Sequence, residues 1–583
     1  MKKRIPAFFS FALAAILLVF TGCSNPSGPG NPAPDPIYPP VTNYTLTYDG
    51  NGSDGGTVPV DSTKYRSWQT VTVRGNTGGL TKTGKVFDGW NTNANGTGTW
   101  YRTGDTFSIG DADKTLFAVW VNTDEKHFWA LKTTDSTWYL LTAKKLVEGT
   151  HCIVYADVTT GITAANGQVV ADKYDNYIHN QITNAFGGIE DVDGNSKVIF
   201  LMLDIIDGYT GSGGYVAGYF QPYHMYARST GRMYSNEADM LFMDTNPGFD
   251  SGNQQNFYST MAHELQHLIE FSETVAHNPT RPEKDLWINE GLSTAAEYIY
   301  GTGTGSPAHQ QDRIAYFNYD PENTIVFGNN FFVWNGWWEM PANGGDVLAN
   351  YSTAYLFFQW LRTHASNNTG IYKEIIASAY ADYRAVTSAA YNRIVAITST
   401  DWGNLLSTWM IANALKADSG LYGYEGQIAP TIGYFNLPTP VTTYEFAPGE
   451  GIYSLFTGSH TSLSTVPSGQ PNIKYAGIPS SGTAIVRTTP YTGNLLLTYN
   501  ANTNNKSYSY EKGVILNYQD SGSTNNGLMS LRSTAPAPSA PLPTSYPIDV
   551  HFGPDGTVSP DSPRTGTGSL GKGISAKPLG IGK

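Results

Sequence analysis

The chain has 583 residues, of which only 14% are charged, and its formal net charge is −13. This length implies several domains rather than one core. The acidic charge is spread thinly and no basic patch accompanies it, which argues against nucleic acid as a partner. Gly, Ser, Thr, Asn and Tyr are abundant, as is typical of exported bacterial surface proteins.

The first 22 residues have the pattern of a secretion signal. Residues 1–4 are basic and residues 7–20 are apolar, a run too short and too abruptly ended to predict a membrane-spanning helix. The run ends in Phe-Thr-Gly-Cys, with Phe20 where Leu is usual, which resembles the processing site of bacterial lipoproteins. That resemblance implies acylation of Cys23 and an extracytoplasmic, lipid-anchored protein. The absence of Asp after Cys23 favours the outer surface, and an ordinary signal peptide with an incidental cysteine is the alternative.

Cysteine usage predicts no disulfide framework. Cys152 is the only cysteine besides Cys23, so lipidation of Cys23 leaves Cys152 unpaired. Residues 23–42 are rich in Pro and Gly and predict an extended, semi-rigid linker that lifts the following domains off a membrane.

Residues 43–121 predict a small domain of short strands separated by Gly and Asn turns. Tyr-Asp-Gly-Asn-Gly from Tyr48, Phe-Asp-Gly-Trp from Phe87 and the closing Leu-Phe-Ala-Val-Trp resemble the Listeria–Bacteroides repeat of bacterial surface proteins. The resemblance implies a β-grasp module with an adhesive or spacer role, and a cell-surface ligand for it stays open. Phe87 and Trp90 are expected in the core, because aromatic residues supply the scarce buried area of a small β domain.

The chain from residue 122 to about 258 predicts mixed α/β structure. Residues 152–156 and 198–204 are apolar and β-branched, as in buried strands, and residues 170–186 have helical spacing. Residues 213–220 and 235–244 are expected to be strands that flank a cleft.

One acidic segment, residues 191–195, offers oxygens at alternate positions, which could suit calcium. Ser196 and Met202 break the EF-hand pattern at the Gly and bidentate Glu positions, so a tight turn is favoured over a calcium site.

The strongest chemical signal is Ala262-His-Glu-Leu-Gln-His267. On a helix, His263 and His267 lie one above the other and can hold one metal ion, with Glu264 beside them. Zinc held this way lowers the pKa of a bound water towards about 7, and Glu264 can take its proton. By itself the motif is also compatible with an amphipathic helix that carries two histidines by chance.

A third metal ligand can come from Leu286-Trp-Ile-Asn-Glu-Gly-Leu-Ser293. Twenty-two residues separate His267 from Glu290, enough for a loop and the start of a second helix that completes a shell of two histidines and one glutamate. The fourth position would be left to water. Glu270 and Glu273 stand where the metzincin pattern needs Gly and His, the inverted order is absent, and nothing fixes the geometry of His277.

These segments resemble known zinc peptidases. Residues 286–293 are similar to the zinc-binding segment of the aminopeptidase N family, and residues 125–420 resemble the hyicolysin-like metallopeptidases. The resemblance implies one zinc ion, peptide-bond hydrolysis outside the cell, His263, His267 and Glu290 as ligands, and Glu264 as general base. The chain lacks the Gly-x-Met-Glu-Asn element that holds a free amino terminus, so endopeptidase activity is favoured.

Two supporting residues are predicted less directly. Glu297 is the candidate carboxylate for the second N–H of a ligand histidine, with a surface salt bridge as the alternative. Tyr351 is the candidate donor to the oxyanion because its helix is placed like the tyrosine helix of aminopeptidase N relatives. Tyr355, one turn on, is the competing choice.

The overall prediction is a multidomain α+β protein. A zincin-like metallopeptidase domain spans residues 122–429, with a mixed α/β half and an α-rich half, whose helices are expected at 371–383 and 402–417. Residues 430–533 predict a β-sandwich-like accessory domain, with strands at 483–487 and 494–499. Residues 534–583 predict a disordered tail.

Two functions of different classes follow. The first is a surface-anchored zinc endopeptidase that hydrolyses extracellular proteins by attack of a zinc-activated water. The second is a non-catalytic adhesin, built from the repeat and the β domain, with an inactive peptidase-like module. The intact set His263, Glu264, His267 and Glu290 favours the first.

Overall fold

The computed structural model describes residues 42–548 except 230, 251, 253, 277–280, 305–312, 315–316, 318–346, 431–440, 447, 456–470, 479–494, 504–510 and 517–544. The predicted signal peptide and Cys23 therefore lie outside the described residues, as do His277 and the strand expected at 483–487. None of the described helices combines the length and apolar character needed to cross a bilayer.

The N-terminal domain contains eight short strands: β1 (Asn43–Tyr44), β2 (Leu46–Asp49), β3 (Tyr65–Arg66), β4 (Thr70–Thr72), β5 (Lys85–Asn91), β6 (Trp100–Tyr101), β7 (Thr106–Ser108) and β8 (Lys114–Asn122). Its main sheet has the order β2-β8-β5-β6, with β2 and β8 parallel.

The core of this domain is centred on Trp90, which is fully buried as predicted. The Trp90 ring contacts Tyr48 and Phe87 edge-on, at centroid distances of 4.7 and 5.0 Å. The glycine of the Asp-Gly-Trp motif is required by the backbone conformation. Gly89 has φ +105°, and a Cβ there would lie 2.6 Å from the carbonyl oxygen of Tyr101.

A six-stranded sheet forms the first half of the central domain. Its order is β14-β15-β12-β11-β10-β9, from β9 (Glu125–Lys132), β10 (Thr137–Glu148), β11 (Cys152–Asp157), β12 (Val198–Leu203), β14 (Gly218–Phe220) and β15 (Met240–Asp244). Strands β11, β12 and β15 are parallel, and every residue of β12 and β15 is buried, as expected for strands covered on both faces. Strand β14 lies at one edge and is antiparallel to β15.

The predictions for this half hold for β11 and β12 but need two corrections. The strand expected from residue 235 begins only at Met240, because Ser235 and Asn236 are used in loop hydrogen bonds to Tyr226 and Trp129. The helix expected from residue 170 begins at Ala164, where Thr163 and Asn166 form a capping box.

Two helices, α1 (Ala164–Lys173) and α2 (His179–Phe186), are joined by a short π-helix (Tyr174–Ile178). They contribute Val170, Ile178 and Phe186 to the same hydrophobic core as β11 and β12. Cys152 is buried in β11 as a free thiol.

The second half is helical and contains α3 (Gln254–Phe271), α4 (Leu286–Thr304), α5 (Val347–His364), α6 (Gly370–Ala377), α7 (Tyr383–Arg393) and α8 (Trp402–Leu415). Helix α3 is buried on all sides from Phe257 to Phe271 and packs against α4 and the sheet. The single helix expected at 371–383 is two helices, because Ser378 is extended and Asp382 caps the backbone N–H of Arg384.

The C-terminal region contains two small antiparallel sheets, β16 (Val441–Phe446) with β20 (Glu511–Leu516), and β17 (Gly451–Leu455), β19 (Leu495–Asn500) and β18 (Ile473–Ile478). The expected disorder of the tail does not extend to β21 (Ser545–Ile548). That strand pairs in parallel with β13 (Gly213–Val216), whose backbone offers it hydrogen-bonding groups.

Candidate metal centre and active site

Helix α3 presents two imidazoles to one point. His263 and His267 are four residues apart and both are buried, with ring centroids 4.8 Å apart. Because the helix is enclosed by the sheet on one side and α4 on the other, both rings face other protein groups rather than bulk water.

Helix α4 supplies the third group. Oε2 of Glu290 lies 3.3 Å from Nε2 of His263 and 3.6 Å from Nε2 of His267. The three side chains are buried and their ligand atoms all lie within 4.8 Å of one another. The close packing of α4 against α5 depends on Gly291, since a Cβ there would lie 2.4 Å from the Phe358 ring.

The second nitrogen of each histidine has a partner on α4. Nδ1 of His263 lies 2.8 Å from Oε1 of Glu297, and Nδ1 of His267 lies 2.7 Å from Oδ1 of Asn289. Both oxygens are acceptors, so each Nδ1 carries the proton and each Nε2 lone pair faces Glu290. Two basic imidazole nitrogens and one carboxylate in a buried pocket are the donor set that zinc takes at catalytic sites, so the residues fit this metal.

Glu264 connects α3 to the edge of the sheet. The backbone N–H of Phe220 in β14 donates to Oε2 of the buried Glu264 at 2.8 Å. The strand and the helix approach closely at Gly218, where a Cβ would lie 3.0 Å from Cγ2 of Thr260. The carboxylate, next in sequence to His263, is therefore held in a defined orientation.

The two candidate tyrosines have different surroundings. Tyr351 on α5 is 4% exposed, and its ring centroid lies 6.5 Å from that of His263. Tyr355 packs with its ring centroid 6.5 Å from that of Tyr298, and burial raises its pKa well above the ordinary value. The structure thus places the Tyr351 ring near His263 and the Tyr355 ring near Tyr298.

Arg313 joins these groups and was not anticipated from the sequence. Its Nη2 lies 3.3 Å from Oε1 of Glu297, and its guanidinium carbon lies 4.9 Å from the Tyr351 ring centroid. Asn289 was missed as well, although its place directly before Glu290 could have suggested it. Nothing in the sequence spacing points to Arg313 or to the Phe220 N–H, because both reach the site through the tertiary fold.

Three aspartates lie together at the acidic segment of residues 191–195. Asp191 and Asp193 lie in a turn in which Asp193 accepts the backbone N–H of Asn195, as the tight-turn interpretation predicts. The buried Asp239 joins them from the chain before β15, with one carboxylate oxygen of each residue within 4.8 Å of the others. One oxygen of Asp239 accepts the backbone N–H of Val192, so the group also fits a purely structural role.

The chain is similar in sequence to the neutral metalloprotease ShpI of Staphylococcus hyicus. The two sequences are 31% identical over 284 residues, which cover 48% of this chain and 60% of ShpI. The chain thus spans about three fifths of the length of that relative.

The N-terminal domain has its own relatives. Residues 44–119 match the Listeria-Bacteroides repeat domain, so the chain contains this repeat. A putative membrane protein of Evansella cellulosilytica is 36% identical over 87 residues, 15% of this chain and 13% of that protein. A putative Gly-rich membrane protein of the same organism is 38% identical over 81 residues, 14% and 9% of the two chains.

Proposed function

We propose that the protein is a zinc-dependent endopeptidase that hydrolyses extracellular proteins. The main observation behind this proposal is that the buried side chains of His263, His267 and Glu290 lie close together, next to Glu264. Similarity to the metalloprotease ShpI supports it independently of the geometry.

His263, His267 and Glu290 would hold the zinc ion. When bound, zinc supplies a Lewis acid that acidifies water and polarises the scissile carbonyl. Glu264 would act as the general base, and the hydrogen bond from Phe220 restrains the orientation of its carboxylate. Glu297 and Asn289 hold the two imidazoles in the tautomer that leaves Nε2 available as a ligand.

Tyr351 is the proposed donor to the developing oxyanion, with Arg313 against its ring. Replacing Tyr351 by Phe is expected to lower kcat for a peptide substrate by about 10²-fold with a small change in KM, because only a transition-state hydrogen bond is lost. Tyr355→Phe is the matched control on the same helix and should leave kcat near that of the wild type. If the two variants exchange these effects, Tyr355 holds the role.

The test of the proposed function is casein hydrolysis by the full chain before and after zinc removal. Cleavage should stop in 1,10-phenanthroline, which removes zinc, and return when zinc is added back. This is expected because the proposed reaction needs the metal ion to activate water. Internally quenched peptides with both ends blocked should be cleaved, and leucine p-nitroanilide should not, if the activity is endopeptidic. Cleavage that continues in the metal-free protein would contradict the proposal.

Two parts of the proposal rest on the sequence alone. Anchoring through Cys23 is expected to keep the enzyme on the cell, and a Cys23→Ser variant that still fractionates with the membrane would contradict it.

A second candidate function, binding to a cell-surface ligand, is favoured by one observation, the repeat at residues 44–119. A protein that binds cells through the repeat but lacks zinc-dependent cleavage would be a non-catalytic adhesin instead.

A further inference from the structure

The repeat and the metallopeptidase-like domain are joined almost directly. Strand β8 ends at Asn122 and β9 begins at Glu125. The Glu125 carboxylate accepts the backbone N–H of Asn122 at 3.1 Å, which closes the turn between the two strands. A junction this short restricts the orientation of the repeat relative to the sheet that β9 enters.

A buried ion pair crosses the boundary between the domains. Asp105 of the repeat accepts from Nε and Nη2 of Arg228 at 2.9 and 2.6 Å, and the two side chains are 4% and 8% exposed. Such a bidentate pair fixes orientation as well as distance. Burying two charges is costly unless the geometry is maintained, so the pair specifies one docked arrangement rather than many.

A second set of contacts surrounds this pair. The guanidinium of Arg102 lies 4.9 Å from the Trp100 ring centroid, and its N–H groups are 3.4 Å from the carbonyl oxygens of His127 and Asn236. Burial lowers the pKa of Arg102. Asp88 of the repeat accepts the backbone N–H of His127 in β9 at 3.0 Å. Two further charged side chains of the repeat, Arg102 and Asp88, thus contact the backbone of the second domain.

The other side of the interface is the chain that connects β14 to β15, residues 221–239. Arg228 donates through Nη1 to the carbonyl oxygen of Ser235 at 3.0 Å, and its backbone N–H donates to Glu237 at 3.0 Å. Ser235 donates in turn to the carbonyl oxygen of Tyr226 at 2.6 Å. Arg228 and Ser235 therefore join residues 226–228 to residues 235–237 within this connection.

The connection begins at the residue that follows Phe220, the donor to Glu264. The rings of Phe220 and Tyr226 both contact Phe271 of α3, at centroid distances of 5.9 and 5.8 Å. An unbroken path therefore runs from Asp105 through Arg228 and the connection to the edge strand that orients Glu264.

We propose that the repeat domain is a positioning unit of the metallopeptidase domain, which acts through Asp105 and Arg228 to fix the β14–β15 connection. These two residues are positioning residues, since neither touches the metal-binding groups. The consequence for catalysis rests on the proposed peptidase function. The structural consequence, a β14 strand immobilised by the repeat, does not.

The test compares full-length wild type with Asp105→Asn, Arg228→Lys and the control Asp124→Asn. Asp124 lies in the same junction, but its ion pair with Lys144 at 3.1 Å is exposed, 42% and 53% for the two side chains. Arg228→Lys keeps the charge and loses the two-pronged geometry, so it is the milder variant if Asp105→Asn folds poorly. Hydrogen exchange of peptides covering residues 214–239 is measured together with zinc content and casein kinetics.

Asp105→Asn and Arg228→Lys are expected to speed exchange in residues 218–228 by about tenfold or more, with unchanged zinc content. The kcat for casein should fall by about 10-fold to 100-fold with little change in KM, since Glu264 loses its fixed orientation. Asp124→Asn should match the wild type in every readout. Unchanged exchange in both variants overturns the proposal whether or not the protein is a peptidase, and faster exchange with unchanged kcat overturns its catalytic half.

Discussion

Replacing Glu264 by Gln is expected to lower kcat for casein by about 10² to 10⁴-fold, the range that a positioned general base contributes. Gln has the same shape, and its carbonyl oxygen can still accept the Phe220 N–H that now lies 2.8 Å from Oε2. What the amide cannot do is take a proton. Zinc content and thermal stability should therefore stay at wild-type values while turnover is lost.

Glu273→Gln is the matched control for this substitution. Glu273 lies in the π turn that continues α3, and it accepts the backbone N–H of Gly188 at 2.6 Å, far along the helix from the histidine pair. The control should retain wild-type kcat. Equal activity of Glu264→Gln and wild type, measured at matched zinc occupancy, would remove Glu264 from the mechanism.

Replacing Glu290 by Gln is expected to weaken zinc binding more than any substitution outside the three ligands. The carboxylate supplies the only negative charge among the three proposed ligand groups, and its Oε2 lies within 3.6 Å of both histidine Nε2 atoms. Loss of zinc also removes the stabilisation that a bound ligand gives the folded state, about 2.7 kcal/mol at a zinc concentration 100 times the Kd. Competition with a chromophoric chelator and thermal unfolding with and without zinc measure both effects.

Glu297→Gln, on the same helix, shows whether a glutamate that only orients a histidine affects zinc affinity less than a glutamate that binds the metal. Glu297 contacts Nδ1 of His263 at 2.8 Å rather than the ligand atoms, so Glu297→Gln should weaken zinc affinity by about 10-fold to 100-fold. The expected order of zinc affinity is wild type, Glu297→Gln, Glu290→Gln. A Glu290→Gln variant that binds zinc as tightly as the wild type would contradict the assignment of the third ligand.

The features of the site that follow helical periodicity could be predicted from the sequence. Two histidines four apart share a face wherever the segment is helical, and Glu290 could be proposed because the intervening 22 residues allow a second helix. The choice between Tyr351 and Tyr355 could not be made from spacing, since both lie on one helix face. It depends on where α5 packs relative to His263.

Contacts that depend on how the sheet and the repeat pack around the two site helices could not be predicted. Arg313, the Phe220 N–H and the Asp105–Arg228 pair belong to elements brought together only by the sheet order and by the packing of the repeat. The sequence signals strand and helix content, but hydrogen-bond partners across domains leave no periodic trace. For the same reason the pairing of β21 with β13 was missed in a tail whose composition predicts disorder.

The central claim is that His263, His267 and Glu290 hold one zinc ion per chain. Crystals of the full chain grown with zinc, with diffraction data collected on both sides of the zinc absorption edge, test it most directly. One anomalous peak within bonding distance of both Nε2 atoms and of the Glu290 carboxylate is the result expected. Zinc absent from this point, or bound only at Asp191, Asp193 and Asp239, would contradict the account.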